Sequence, residues 1–187
     1  MKKIVSVLCV CALSLPVLAQ APKVGFVRLV NLVAGAEEGP TNFSLDGQDL
    51  YKPGYKLGQK TGGMGFKAAT YELRVTKPGC KMGSRSIKVE DKQTQTFVAY
   101  SVPVRDDLGE VIGWEIKIAS LRQKTPERGY MVTLISLCEA EELPVTIVAE
   151  GTPKPIREVV PKKRAHTVKA GQPQGGVRVS RGGRQSP

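Results

Sequence analysis

The side chains that most often carry out catalysis are scarce in this sequence. The only histidine, His166, lies in the C-terminal segment, so a domain folded upstream has no imidazole to act as base, proton shuttle or metal ligand. Serine and cysteine triads are excluded for the same reason. Acidic pairs such as Asp106-Asp107 fall in predicted loops, where carboxylates are usually solvated, and they match no calcium-loop spacing. We therefore predict no catalytic residue, no metal site, no cofactor and no enzymatic activity.

Basic residues are the other group with a clear chemistry, and they concentrate at the C-terminus. The chain has 28 Lys and Arg against 17 Asp and Glu, a net charge of +11. From Gly151 onward, nine basic residues accompany a single acid, Glu158, whereas the preceding domain is close to neutral. A flexible polycation binds anionic polymers by releasing their counterions. The predicted polyanion-binding residues are Lys162, Lys163, Arg164, Arg178, Arg181 and Arg184.

The same segment, residues 151–187, is predicted to be a disordered tail. Its hydrophobic alternation fails, and Pro, Gly, Lys, Arg and Gln dominate. Such a composition buries too little apolar surface to offset the entropy lost on ordering. A role as a solubilising spacer is the alternative to polyanion binding.

Residues 1–19 have the pattern of a secretory signal peptide. Lys2 and Lys3 precede an apolar run that is too short to span a bilayer, and Val17-Leu18-Ala19 supplies a cleavage motif, with an alternative cleavage after Ala21. We expect export to the periplasm, the cell surface or the extracellular space, and no transmembrane anchor in the mature chain. In those compartments nucleic acid is not the available polyanion, so we predict no nucleic-acid partner.

Two cysteines remain in the mature chain, Cys80 and Cys138. An even number of cysteines in an oxidising compartment is typical of a disulfide. A bridge between them would close a long loop, for which chain entropy predicts roughly 4 kcal/mol of stabilisation. The alternative is two unpaired thiols, one of them buried as a small hydrophobe. Both alternatives stay open at this point.

The elements that carry the two cysteines are predicted to be β-strands. Apolar and polar residues alternate along 71–76, which is the period of a strand with one buried face. Lys77-Pro78-Gly79 then predicts a turn before a return strand near Ile87. Similar patterns recur about every ten residues, and no amphipathic helical stretch occurs. We predict an all-β fold, an antiparallel β-sandwich of about eight to ten strands over residues 22–150.

Four segments, taken in order, resemble a known type of domain. They are 26–31 (FVRLVN), 44–47 (SLDG), 67–75 (KAATYELRV) and 97–100 (FVAY). Together they resemble the small secreted bacterial β-sandwich domains of unknown function, and the first and third also resemble the periplasmic adaptor of alginate O-acetylation. The resemblance covers residues 24–102 and implies an Ig-like or transthyretin-like sandwich. Its motifs determine the fold rather than a reaction.

Together these patterns favour a binding protein. The hypothesis is a secreted or periplasmic module that binds a cell-envelope partner, either a protein or an anionic glycan, with help from its basic tail. The alternative hypothesis is a structural or assembly adaptor that acts through exposed sheet edges, since an unpaired strand can pair with another chain.

Overall fold

The computed structural model describes most of the chain as β-structure. The described residues are 22–35, 37–121, 131–137, 140–149, 154–162, 165–169 and 177–181. The predicted signal peptide lies outside them. Within them the fold is all-β, as predicted, and no helix is present that is long and apolar enough to cross a membrane.

The described residues contain fourteen strands, eleven of them within residues 22–150, for which about eight to ten were predicted. The first nine are β1 (Val24–Leu32), β2 (Asn42–Leu45), β3 (Gln48–Asp49), β4 (Met64–Lys67), β5 (Thr70–Thr76), β6 (Cys80–Lys81), β7 (Gly83–Lys88), β8 (Thr94–Arg105) and β9 (Val111–Leu121). The last five are β10 (Met131–Ile135), β11 (Glu142–Ala149), β12 (Ile156–Pro161), β13 (Ala165–Lys169) and β14 (Val177–Arg181).

The first nine strands form two sheets. A five-stranded sheet has the order β4-β1-β8-β9-β6, and a four-stranded sheet has the order β3-β2-β5-β7. In the larger sheet, β1 is antiparallel to β4 but parallel to β8, while β8 and β9 form an antiparallel hairpin. β6 is also parallel to β9, so the predicted antiparallel arrangement is correct only in part. In the smaller sheet, Asp46 and Gly47 take positive φ values of 48° and 81° and close the β2–β3 hairpin, as Asp-Gly in a two-residue turn predicts.

The strand predicted to return after Pro78-Gly79 is divided between the two sheets. β6 pairs with β9 in the five-stranded sheet, and after Met82 the chain enters β7, which pairs with β5 in the four-stranded sheet. Gly83 lies at this switch, where an added Cβ would come within 2.7 Å of the carbonyl oxygen of Ile116. The close approach of the two backbones therefore requires glycine here.

A single hydrophobic core lies between these two sheets. The alternation of apolar residues in each strand turns one face inward, so both sheets bury their apolar face against the other. At its centre Phe43 meets Tyr55 edge to face, with ring centroids 5.2 Å apart. The cluster of buried residues comprises Val27, Leu29, Val33, Phe43, Leu45, Leu73, Val75, Ile87, Val89, Phe97, Ala99 and Ile116.

Three of the last five strands, β12, β13 and β14, lie within residues 151–187, which the sequence predicted to be a disordered tail. β11 pairs with β12 and β14 in a three-stranded sheet, and β10 pairs with β13 in a two-stranded sheet. The predicted domain boundary at residue 150 thus falls between two paired strands. Averaged over 37 residues the composition is polar, but short β-branched stretches within it bury apolar side chains, including Val160 and Val168 together with Val145 and Ile147 of β11.

Candidate functional site

Half of the predicted polyanion-binding residues lie in the described part of the chain. Lys163, Arg164 and Arg184 lie outside it. Lys162 is within it, but its Nζ lies 2.8 Å from Oε1 of Glu141 in an ion pair, and its side chain is only 25% exposed. Lys162 is therefore already neutralised within the chain.

The remaining two predicted residues, Arg178 and Arg181, lie on β14 but on opposite faces of it. Side chains alternate along a strand, so residues three positions apart point in opposite directions. Arg178 is in register with Val148 of β11, whereas Arg181 is in register with Val145, which is buried. Arg178 and Arg181, both predicted to bind polyanions, therefore do not share one surface of the sheet.

A residue that the sequence analysis did not single out, Arg157, shares the face of Arg178. Arg157 on β12 is in register with Thr146 on β11, and Thr146 is in register with Ser180 on β14. With strands about 4.8 Å apart and a rise of about 3.3 Å per residue, the two arginine Cα atoms lie roughly 12 Å apart. This surface of the three-stranded sheet, here called the arginine face, comprises Thr146, Val148, Arg157, Val159, Arg178 and Ser180.

The guanidinium groups of the arginine face are exposed and unneutralised. Within the described residues, Arg157 and Arg178 make no ion pair and no side-chain hydrogen bond. Arg74, by contrast, pairs with Glu72 at 2.6 Å. None of the six residues of the arginine face is acidic. On the same side of β11, the described acidic residue is Glu142, which lies four residues from Thr146, or about 13 Å away. The face therefore carries a positive potential suited to carboxylate, sulfate or phosphate groups.

Apolar and hydroxyl groups surround the two arginines. Val148 and Val159 are 46% and 49% exposed, which is high for valine in a sheet. Thr146 and Ser180 lie between the arginines and offer hydroxyl groups as donors or acceptors. A ligand that combines negative charge with some apolar surface would match this arrangement.

The sequence carries no clean signal for Arg157. Residues 156–160 (IREVV) do not alternate between apolar and polar, because a period of two places Glu158 on the face of Ile156 and Val160, and Val159 on the face of Arg157. The face of Arg157 becomes evident only from the pairing of β12 with β11.

A cleft of about 500 Å³ lies between β7 and the start of β8. Its polar side chains mostly join the two sheets. Arg85 Nη1 donates to the carbonyl oxygen of Ile118 at 2.8 Å, and Gln95 Nε2 donates to that of Lys88 at 2.8 Å. The one carboxylate among its lining residues, Glu90, lies 3.5 Å from the ammonium of Lys88. We assign these groups to holding the sheet edges together.

The loop carboxylates also have structural partners. Asp106 Oδ1 accepts hydrogen bonds from the backbone amides of Leu108 at 3.0 Å and Glu110 at 2.8 Å, which stabilises the β8–β9 turn. Among the described residues, no group of three or more His, Cys, Asp or Glu side chains is arranged to hold a metal ion.

Cys80, at the start of β6, forms no disulfide with a described residue. Cys138 lies outside the described residues, so the disulfide between them stays a prediction. Burial raises the pKa of the Cys80 thiol above its ordinary value, and the nearby Lys77 ammonium opposes this only in part. The thiolate is the reactive form, so a raised pKa lowers reactivity at neutral pH.

We expect iodoacetamide to alkylate Cys80 several times more slowly in the reduced, folded protein than in the same protein in urea at pH 8. Quantitative peptide mass spectrometry measures the rate for Cys80 separately from that for Cys138. Equal rates in the folded and unfolded protein would contradict the effect of burial. A Cys80–Cys138 crosslinked peptide before reduction would establish the bridge.

Comparisons with protein-family models, curated proteins and solved structures found no match to this chain. The resemblance of residues 24–102 to small secreted bacterial β-sandwich domains therefore stays a prediction. Function has to be inferred from the geometry of the described residues.

Proposed function

We propose that this protein is a non-enzymatic, exported binding module whose arginine face binds an anionic partner of the cell envelope, either a protein or a glycan. One observation carries the proposal: Arg157 and Arg178 are exposed on one sheet face and have no partner within the described residues. An unpaired guanidinium offers up to five donors in a planar fork that matches carboxylate and phosphate. Because Arg157 and Arg178 lie on one face of the same sheet, their two guanidinium groups present these donors at a defined distance from each other.

The proposal includes a role for the fold and for the rest of the basic segment. We propose that the two N-terminal sheets form a sandwich of Ig-like or transthyretin-like type, because a five-stranded and a four-stranded sheet enclose one core. This unit serves as the rigid support. The other basic residues after Gly151 raise the local concentration of an anionic partner through long-range attraction.

Binding to a defined polyanion, polygalacturonate, tests the proposal. We expect the affinity of the mature protein to fall steeply as NaCl is raised from 50 to 300 mM, because binding releases counterions. The double variant Arg157→Gln, Arg178→Gln should bind more weakly and lose roughly 1 to 2 from the slope of log K against log salt. Isothermal titration calorimetry or biolayer interferometry gives both quantities.

A matched control separates the arginine face from net charge. The variant Arg28→Gln, Lys92→Gln removes the same two charges from exposed positions on the N-terminal unit. It should keep nearly all of the affinity. Equal losses in the two variants, or binding that does not respond to salt, would contradict the assignment of the arginine face.

The second candidate is an adaptor that pairs through sheet edges. β14 favours it, because this five-residue strand pairs with β11 on one side and with no other described strand. Edge strands of this kind accept strands from other chains. A partner captured from envelope extracts equally well by the wild type and the arginine variant, at low and high salt, would support this candidate instead.

A further inference from the structure

The turn between β8 and β9 is a tightly hydrogen-bonded hairpin end, here called the hairpin tip, residues 105–112. The amide of Asp106 donates to the carbonyl of Glu110 at 3.0 Å, and the amide of Gly109 donates to that of Asp106 at 3.0 Å. Arg105 Nη1 also donates to the carbonyl of Gly109 at 2.8 Å. With the two bonds accepted by the Asp106 side chain, these contacts fix the shape of the tip.

This fixed tip presents apolar side chains to solvent. Leu108 is 89% exposed, Ile112 is 66% exposed and Val111 is 46% exposed. Val104 pairs with Gly113 and Arg105 with Val111, so Ile112 is the extra residue of a β-bulge. Bulges redirect side chains. A cluster of exposed apolar residues on an ordered turn is typical of an interaction site rather than of a solvated loop.

The same tip is acidic. Residues 105–112 contain three carboxylates and one basic residue, Arg105. The side chains of Asp107 and Glu110 are exposed and make no ion pair within the described residues. A bilayer with anionic headgroups would repel this charge, so the apolar side chains do not suit insertion into such a membrane.

The chain itself contains a surface of the complementary kind. The arginine face carries unpaired positive charge beside exposed valines, and the hairpin tip carries unpaired negative charge beside exposed leucine and isoleucine. Neither surface is covered by another described part of the chain, because Leu108 is 89% exposed and Arg157 and Arg178 are also exposed. Charge complementarity of this kind sets partner choice and register at interfaces.

We propose that the hairpin tip of one copy binds the arginine face of a second copy. In this arrangement Asp107 and Glu110 pair with Arg157 and Arg178, while Leu108 and Ile112 pack on the valines of the arginine face. The two surfaces differ, so the contact is heterologous and continues head to tail into a ring or a filament. A single hairpin end buries little area, so each contact is weak and sensitive to salt.

This proposal goes beyond the proposed function, since it needs no envelope ligand. The two compete for one surface, because an anionic polymer bound to the arginine face blocks the hairpin tip of the neighbour. We therefore expect polygalacturonate to dissociate the assemblies of the wild-type protein. The hairpin-tip variants described next should still bind polygalacturonate, so failure of one proposal is distinguishable from failure of the other.

Sedimentation equilibrium of the mature protein at 50 mM NaCl tests self-association. The weight-average mass should rise with concentration and return to that of the monomer at 500 mM NaCl. Two double variants each reverse the charge of one surface. They are Asp107→Lys, Glu110→Lys for the hairpin tip and Arg157→Glu, Arg178→Glu for the arginine face. Each variant should lower the association constant roughly tenfold or more, because like charges then meet at the contact. Circular dichroism checks that both variants keep the wild-type fold.

Mixing the two reversed variants is the decisive measurement. In the mixture the lysine tip meets the glutamate face and the native tip meets the native face, so association should return to about the wild-type level. Leu108→Gln, at a position that is 89% exposed, should weaken association without loss of fold and so tests the apolar contact. A wild-type protein that stays monomeric at all concentrations, or folded variants that fail to associate on mixing, would overturn the proposal.

Discussion

Replacing Phe43 with alanine is expected to lower the free energy of unfolding by about 4 kcal/mol, within the range measured for buried Phe-to-Ala changes. Phe43 is 1% exposed and lies in the core cluster between the two N-terminal sheets. The change removes its apolar contacts, leaves a cavity and abolishes the edge-to-face contact with Tyr55. Urea unfolding followed by the fluorescence of the single tryptophan, Trp114, measures the effect.

Leu57 provides a control of the same apolar type. It is 63% exposed, so Leu57→Ala should change the free energy of unfolding by no more than about 0.5 kcal/mol. If Phe43→Ala cost less than about 1.5 kcal/mol, or no more than Leu57→Ala, the core would not be packed as described.

Gly25→Ala should destabilise the protein by about 3 kcal/mol, the upper end for overpacking a tight site. A Cβ on Gly25 would lie 2.1 Å from the carbonyl oxygen of Glu90 and 2.7 Å from a methyl of Val89. The carbonyl is backbone and cannot rotate away, so β1 would have to separate from the 89–93 segment. That separation would break the 2.8 Å hydrogen bond from the Phe26 amide to the Gln93 carbonyl. Thermal and urea unfolding report the loss.

A second strand glycine serves as the matched control. Gly113 lies in β9, and an added Cβ would meet nothing within 4 Å. Gly113→Ala should therefore be neutral or stabilise the fold by up to about 0.5 kcal/mol, since alanine has less chain entropy to lose than glycine. Similar losses at both glycines would contradict a steric conflict specific to Gly25, because chain entropy favours alanine at both positions.

Features set by short sequence patterns were predictable. The alternation in β5 and the Asp-Gly turn between β2 and β3 depend on neighbouring residues, and the structure has both where the patterns placed them. Asp106 and Asp107, predicted to lie in a loop, lie in the turn between β8 and β9. In each case the side-chain period or the turn chemistry acts within about ten residues.

Features set by distant partners were not predictable in the same way. The division of the return strand between two sheets depends on the edge of β9, more than thirty residues from Cys80 in sequence. Of the strands after residue 150, β12 and β14 depend on pairing with β11, and β13 depends on pairing with β10. The arginine face exists only once Arg157 and Arg178, on different strands, are brought into register with β11. No local pattern contains that information.

The parallel pairing of β1 with β8 has a consequence for the order in which the chain folds. Each paired residue of β1 meets a partner roughly 70 positions further along the chain, a long loop to close before the pairing gains any contact. A ribosome adds about 5 to 20 residues per second. For several seconds, therefore, β1 lacks its β8 partner, and the nascent protein offers chaperones an open strand edge beside the apolar side chains of Val27 and Leu29.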